Sequence, residues 1–357
     1  VADDWPQWRG PHRNGISGET GLLQQWPSIG PKLVWQVKDL GGGYSTPSVV
    51  GDRIYLVNDK GSDNESVQAL STSDGSVVWS MRIGNVGQNR GPQYPGARST
   101  PTVDGELLYA LGSDGDLTCL RTDSGEIVWQ KSLPNDLGGM IGSNQASWAY
   151  SESVLVDGDN VICTPGGATA TLAALNKATG DVVWKSVVPE GDYAAYSSII
   201  IVETDSVKQY VQFLRGGIVG VSATDGKFLW RYNKPANGTA NCSTPIYADE
   251  HVFAASGYGT GGGLCKITNV ASSGQAEEVY FKRHQEFENH HGGVILVGDH
   301  LYGGSGRNNG TPVCLEFASG KIAWRGKPAG NRSAALGYAD GPVVFRYEDG
   351  TGALGEA

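Results

Sequence analysis

Five stretches of the chain carry one eleven-residue pattern with Gly seventh and Trp eleventh. They end at Trp79 (ALSTSDGSVVW), Trp129 (CLRTDSGEIVW), Trp184 (ALNKATGDVVW), Trp230 (GVSATDGKFLW) and Trp324 (CLEFASGKIAW). A degenerate sixth copy runs from Cys265 to Phe281, and Trp35 in KLVWQV stands alone, like the end of a copy whose beginning lies elsewhere. A period of roughly 40 to 50 residues means that one supersecondary unit is reused, and such a unit buries its apolar face only against its neighbours.

Each unit reads as four short strands. In the second copy, STPTVDGELLYAL alternates apolar and polar residues around Asp104-Gly105, SDGDLTCL turns at Asp114-Gly115, and SGEIVW turns again at Gly125. The repeated Gly suits a turn position with positive φ. The Trp four residues on offers a broad apolar face with one N–H donor, suited to wedging between neighbouring units. Four-stranded meanders repeated six or seven times, with no helical periodicity between them, predict an all-β fold, a single β-propeller. Its expected structural residues are Trp35, Trp79, Trp129, Trp184, Trp230 and Trp324.

The pattern resembles the tryptophan-docking motif, Ala-x-Asp-x-x-Thr-Gly-x-x-x-Trp, of the PQQ-like propeller repeat family, with Ala174 to Trp184 nearest to it. The resemblance covers about 33 to 357, although the third position is Ser71, Arg121, Asn176, Ser222 and Glu316 rather than Asp. The opening Trp5 to Ser17, WPQWRGPHRNGIS, is similar to the start of secreted bacterial, planctomycete-type members. That implies a periplasmic or secreted protein. The family is related in fold to quinoprotein dehydrogenases and to an outer-membrane assembly scaffold lipoprotein.

Units begin near Ser45, Ser99, Ser151, Ser197, Ser243 and Gly292, and a seventh begins at Ser333 but stops before its Trp strand. We therefore expect an N-terminal extension, 1–32, and a seven-bladed propeller, 33–357, in which strand 33–38 closes the last blade. The alternative is an eight-bladed propeller whose C-terminal part is missing from this chain. No signal peptide precedes Val1, so the chain reads as mature or truncated.

Charge narrows the partners. A net charge of −10 opposes binding to a phosphate backbone, which needs a basic stripe. No apolar run approaches the roughly 20 residues of a spanning helix. The expected partners are a small polar or anionic ligand or another protein, with no nucleic acid and no transmembrane span. Cys119, Cys265 and Cys314 fall at one strand position in three units, too far apart for a disulfide and suited to small buried residues.

Function is sought where the units differ. Aligning the strand starts puts Tyr44, Arg98, Tyr150, Tyr196, Cys242 and His291 at one level, with Asn241 and His290 adjacent, behind long loops rich in Gly, Asn and Pro. We take Tyr44, Arg98, Tyr150, Tyr196, Asn241, His290 and His291 as candidate ligand-binding residues. Alternatively, the same groups hydrogen-bond one another and plug the channel with water. The pair His290-His291 with Glu286 and Glu288 invites a metal site, but adjacent residues on a strand face opposite ways, so none is expected. Asp63, Asn64 and Glu65 lack calcium-loop spacing and read as a solvated hairpin tip.

Two functions from different classes follow: a binding module acting through the channel face, and a PQQ-dependent quinoprotein oxidoreductase acting on an alcohol or sugar. The resemblance implies PQQ with Ca²⁺ only for the second. That reading lacks the vicinal Cys-Cys pair and the CxxCH haem site of its relatives, and no catalytic residue is assigned.

Overall fold

The computed structural model describes residues 3–88, 94–142, 147–189 and 191–356. Strand β1, Ile16–Ser17, precedes the first blade, which comprises β2 (Ser48–Val50), β3 (Arg53–Asp59), β4 (Glu65–Ser71) and β5 (Val77–Gly84). These pair in sequence order as an antiparallel meander. The same order recurs within 102–132, 155–186, 200–232, 246–283 and 294–325. The two described helices, Leu133–Leu137 and Val270–Ser273, are five and four residues long. The architecture is a seven-bladed β-propeller.

Blade seven departs from the pattern. It has three antiparallel strands, Ala334–Ala339, Pro342–Tyr347 and Gly352–Glu356, and its fourth is β1, parallel and on the inner edge, with Ile16 opposite Tyr338. The expected closure by strand 33–38 is not found, because residues 32–40 lie in no strand.

Apolar side chains on both faces of the blades fill the spaces between them, as where Ala173 and Leu175 face one neighbouring blade and Leu172 and Ala174 the other. Tyr55, Val57 and Val67 of blade one meet Leu108, Ala110 and Leu120 of blade two. Corresponding clusters join each later pair up to blades six and seven. Each fully buried Leu, Ile, Val or Phe in them contributes about 1.5–3 kcal/mol relative to an exposed position.

The repeated tryptophans do not share one environment. Trp79, Trp129 and Trp184 lie against the turn glycines of the following blades, Gly125, Gly180 and Gly226. In the degenerate copy Tyr280, not Phe281, takes this place, seated on Gly320 and donating from Oη to Phe317 O at 2.9 Å. The register there is offset by one: Leu264 stands opposite Tyr280, whereas Cys119 and Cys314 stand opposite Trp129 and Trp324. Cys265 is therefore one position off the alignment read from sequence. Trp230 is buried but donates to Gln209 Oε1 of its own blade at 2.7 Å, because the next blade has the helix Val270–Ser273 between its outer strands instead of the repeated glycine turn. Trp324 remains 37% exposed, as blade seven presents no such turn among the described residues.

Candidate functional site

Antiparallel order fixes which residues can meet. Loops entering the inner strands and turns joining second to third strands lie at the same end of every blade. That end is the channel mouth.

The opposite end is filled by the N-terminal segment. Trp5 exchanges two backbone hydrogen bonds with Val49, Val103 N donates to Pro6 O, and Trp8 Nε1 donates to Thr244 Oγ1 at 2.9 Å. Arg9 Nη2 donates to Val294 O, and the buried Arg13 donates to Ser153 O at 2.6 Å and Val154 O at 3.2 Å. With β1 in blade seven, residues 5–17 touch six of the seven blades. This floor leaves the mouth as the accessible end.

At the mouth, Arg98 stacks on exposed Tyr44, its Cζ 5.2 Å from the ring centroid. Its guanidinium donates to Gly96 O at 2.8 Å, to Trp148 O at 2.9 Å and to Tyr94 O. Tyr196 packs edge-on against Trp148, with centroids 5.6 Å apart, and accepts from Trp148 N. Cys242 continues the series; burial pushes its thiol up to about 12, against the opposing pull of the Arg98 charge. Tyr258 follows, its phenol pushed up to about 12 by burial and by nearby Cys242, with Arg307 stacked on its ring at 5.0 Å.

His290 lies edge-on to Tyr258 at 5.1 Å and 4.3 Å from His291, centroid to centroid. The opposed-face argument against this pair is corrected: both residues lie on a bend, so their rings are neighbours. His291 Nε2 stands 3.3 Å from Glu348 Oε1, whose other oxygen is 3.7 Å from Arg332. Burial lowers both imidazoles, His290 to about 4 with help from His291 and Arg307. Both are neutral at neutral pH.

The structure buries Tyr150 and Asn241 beneath this surface, with Tyr150 bordering a neighbouring cavity. Tyr150 is 4% exposed, and its Oη donates to Pro165 O at 2.9 Å. Asn241 Nδ2 donates to Leu214 O and Arg215 O, while its Oδ1 accepts from Asn237 N. Both residues spend their polar atoms holding loops. Glu65 is also corrected: it is buried on β4 and accepts from Ser113 N at 2.9 Å and Ser113 Oγ.

Alignment of strand starts missed Trp148, Tyr193, Arg215, Tyr258, Arg307 and Glu348. Four of these, Arg215, Tyr258, Arg307 and Glu348, sit in turns between second and third strands, which antiparallel order alone would have placed at the mouth. Arg215 stacks on Tyr193 at 5.6 Å, and Tyr193 borders a cavity of about 250 Å³ lined also by Ser113, Asp114, Met140 and Tyr150. The neighbouring ion pairs are Asp192 with Arg231 and Glu348 with Arg332, and neutral His291 lies beside Glu348. Among the described residues, Arg98, Arg215 and Arg307 have no carboxylate within ion-pair distance.

Ca²⁺ takes six to eight oxygens. Among the described residues, no group of three His, Cys, Asp or Glu side chains is placed to hold a metal ion, and Glu288 accepts from Gly259 N. The described mouth thus offers no carboxylate cluster of the kind that would hold Ca²⁺ beside a quinone.

A family model described as outer membrane protein assembly factor BamB matches residues 17–145 and 88–326. The chain belongs to this family of PQQ-like propellers. It is similar to BamB of Yersinia pestis, 22% identical over 216 residues, covering 60% of this chain and 49% of the relative. With BamB of Shewanella oneidensis it shares 25% identity over 242 residues, 66% and 54% of the two chains. The chain thus spans about half the length of these curated relatives. The crystal structure of BamB from Moraxella catarrhalis has a TM-score of 0.55 at 16% identity, covering 87% of this chain and 82% of that one. This likeness to BamB is one of fold. No described helix is long and apolar enough to cross a membrane.

Proposed function

We propose that the protein is an extracytoplasmic docking module whose channel mouth binds an anionic ligand, in the first instance an acidic segment of a partner protein. The observation that carries this reading is the trio Arg98, Arg215 and Arg307, each mounted on a tyrosine and, among the described residues, without an ion-paired carboxylate, in a chain of net charge −10. Stacking fixes a guanidinium without neutralising it, so less side-chain freedom is lost when it meets a carboxylate. The filled floor directs binding to the mouth, and the relatives' description as assembly factors agrees with a docking role.

The test is fluorescence anisotropy with a labelled peptide of alternating Glu and Ala. Binding should be saturable and weaken with salt, and the triple variant Arg98→Gln, Arg215→Gln, Arg307→Gln should bind at least about tenfold less tightly, a loss of about 1.4 kcal/mol. Unchanged affinity in the triple variant would remove the proposal. Turnover of an alcohol with PQQ, Ca²⁺ and an artificial electron acceptor would replace it with the oxidoreductase reading.

A further inference from the structure

Tyr258 holds two side chains of different chemistry side by side. The Arg307 guanidinium stacks on its ring at 5.0 Å, and the His290 ring meets it edge-on at 5.1 Å, with His291 a further 4.3 Å on. These residues come from three loops. Tyr258 lies in the turn joining His251–Ser256 to Gly261–Thr268, the histidines in the segment entering blade six, and Arg307 in the turn joining His300–Ser305 to Thr311–Glu316. His291 and Arg307 are exposed. A carboxylate that pairs with Arg307 therefore arrives beside an imidazole.

This corner of the mouth is short of negative charge. The groups facing the two rings are Tyr258, Arg307, Asn308, Ser333 with Oγ 3.3 Å from His290 Nδ1, and Glu348 with Arg332 beyond it. Glu288, in the same loop as the histidines, turns to Gly259 N. Among the described residues Glu348 is thus the one carboxylate facing the rings, and it is divided: Oε1 accepts from Ser333 N at 3.3 Å and stands beside His291, while Oε2 lies 3.7 Å from Arg332. Burial, the neighbouring ring and Arg307 lower His290 to about 4, and burial lowers His291. An incoming negative charge opposes each of these causes, because it stabilises the imidazolium that they disfavour.

We infer that His290, His291 and Arg307 form a carboxylate subsite of the mouth, which takes up about one proton for each acidic ligand bound. The inference rests on the docking of an acidic segment proposed above. The ligand's charge strengthens the hold of the nearer imidazole on a proton, and the imidazolium donates to the carboxylate beside Arg307. A second proton is opposed by the first, since the ring centroids are only 4.3 Å apart. Binding and protonation then favour each other to the same extent. Affinity rises as pH falls from the value at which the liganded ring titrates towards that of the free ring, and is level outside this window.

The test is the anisotropy measurement with the Glu and Ala peptide at pH 8 and pH 5.5, a range over which its glutamates, with an ordinary value of about 4.3, stay ionised. Binding should be at least about fivefold tighter at pH 5.5. Calorimetry at pH 6 in two buffers of different ionisation enthalpy should show uptake of up to about one proton per peptide. In NMR titrations of the unmodified protein, one of the two rings should titrate at least about one pH unit higher with peptide than without. His290→Gln combined with His291→Gln should bring the ratio of the two affinities to about one. Equal affinities at the two pH values without proton uptake, where the triple arginine variant still binds less tightly, would overturn this inference and leave the docking reading standing. An unchanged ratio in the double histidine variant would place the proton on another group and overturn it as well. Absence of binding at both pH values would end both readings.

Discussion

Glu152 accepts from Thr164 N, Thr164 Oγ1 and Gln212 Nε2 deep in the propeller, yet burial pushes its carboxyl up to about 8 against those bonds and the Arg13 charge. Folding therefore favours the protonated form. The stability this supplies is complete below the unfolded value of about 4.3, falls as pH rises, and is lost as pH passes through about 8. Glu152→Gln should flatten that slope. Its unfolding free energy in urea should match the parent's near pH 4 and exceed it at pH 8, by on the order of a few kcal/mol; equal slopes between pH 5 and 8 would contradict the assignment. At the blade junctions, Gly125 has φ 75°, and a Cβ there would stand 2.5 Å from the Trp79 ring. Gly125→Ala should cost about 2–3 kcal/mol in urea unfolding, and Trp129→Ala about 3–5 kcal/mol.

At the scale of elements, the N-terminal segment has the widest reach for its length. Arg13→Ala should leave the carbonyl of Ser153 without its donor and that of Val154 with only Thr102 Oγ1, and lower stability by about 1–3 kcal/mol, as when one side of a buried polar contact is lost. Urea denaturation checks this; a loss below about 1 kcal/mol would mean that water replaces the guanidinium. The blades were legible because Gly-x-x-x-Trp recurs in register with period-two alternation. The segment 5–17 was not: its contacts run through main-chain groups and two arginines, which leave no periodic trace. The mouth was half legible for a related reason. Strand starts align by their STP signatures, whereas turns bearing Arg215, Tyr258 and Arg307 vary in sequence and share only a position in the meander. Tyr150 and Asn241 were placed at the right level, but a strand start says nothing about which way its side chain leaves.

For the whole molecule, six apolar seams hold seven blades in a row, and one short segment crosses the inner ends of nearly all of them. The blades depend on local meanders, which form from neighbours in sequence. The crossing segment depends on partners spread from Val49 to Tyr338. Its residues precede all seven blades in the chain and are among the last that can settle, since Ile16 has no strand to join until Tyr338 has been made. During that interval Trp5, Trp8, Arg9 and Arg13 stay without their native partners, a condition that favours contacts with other chains over native ones. Completion of the fold is thus set by a pairing that spans nearly the whole propeller, and a ribosome-bound intermediate of six finished blades should still hold the segment 5–17 loose.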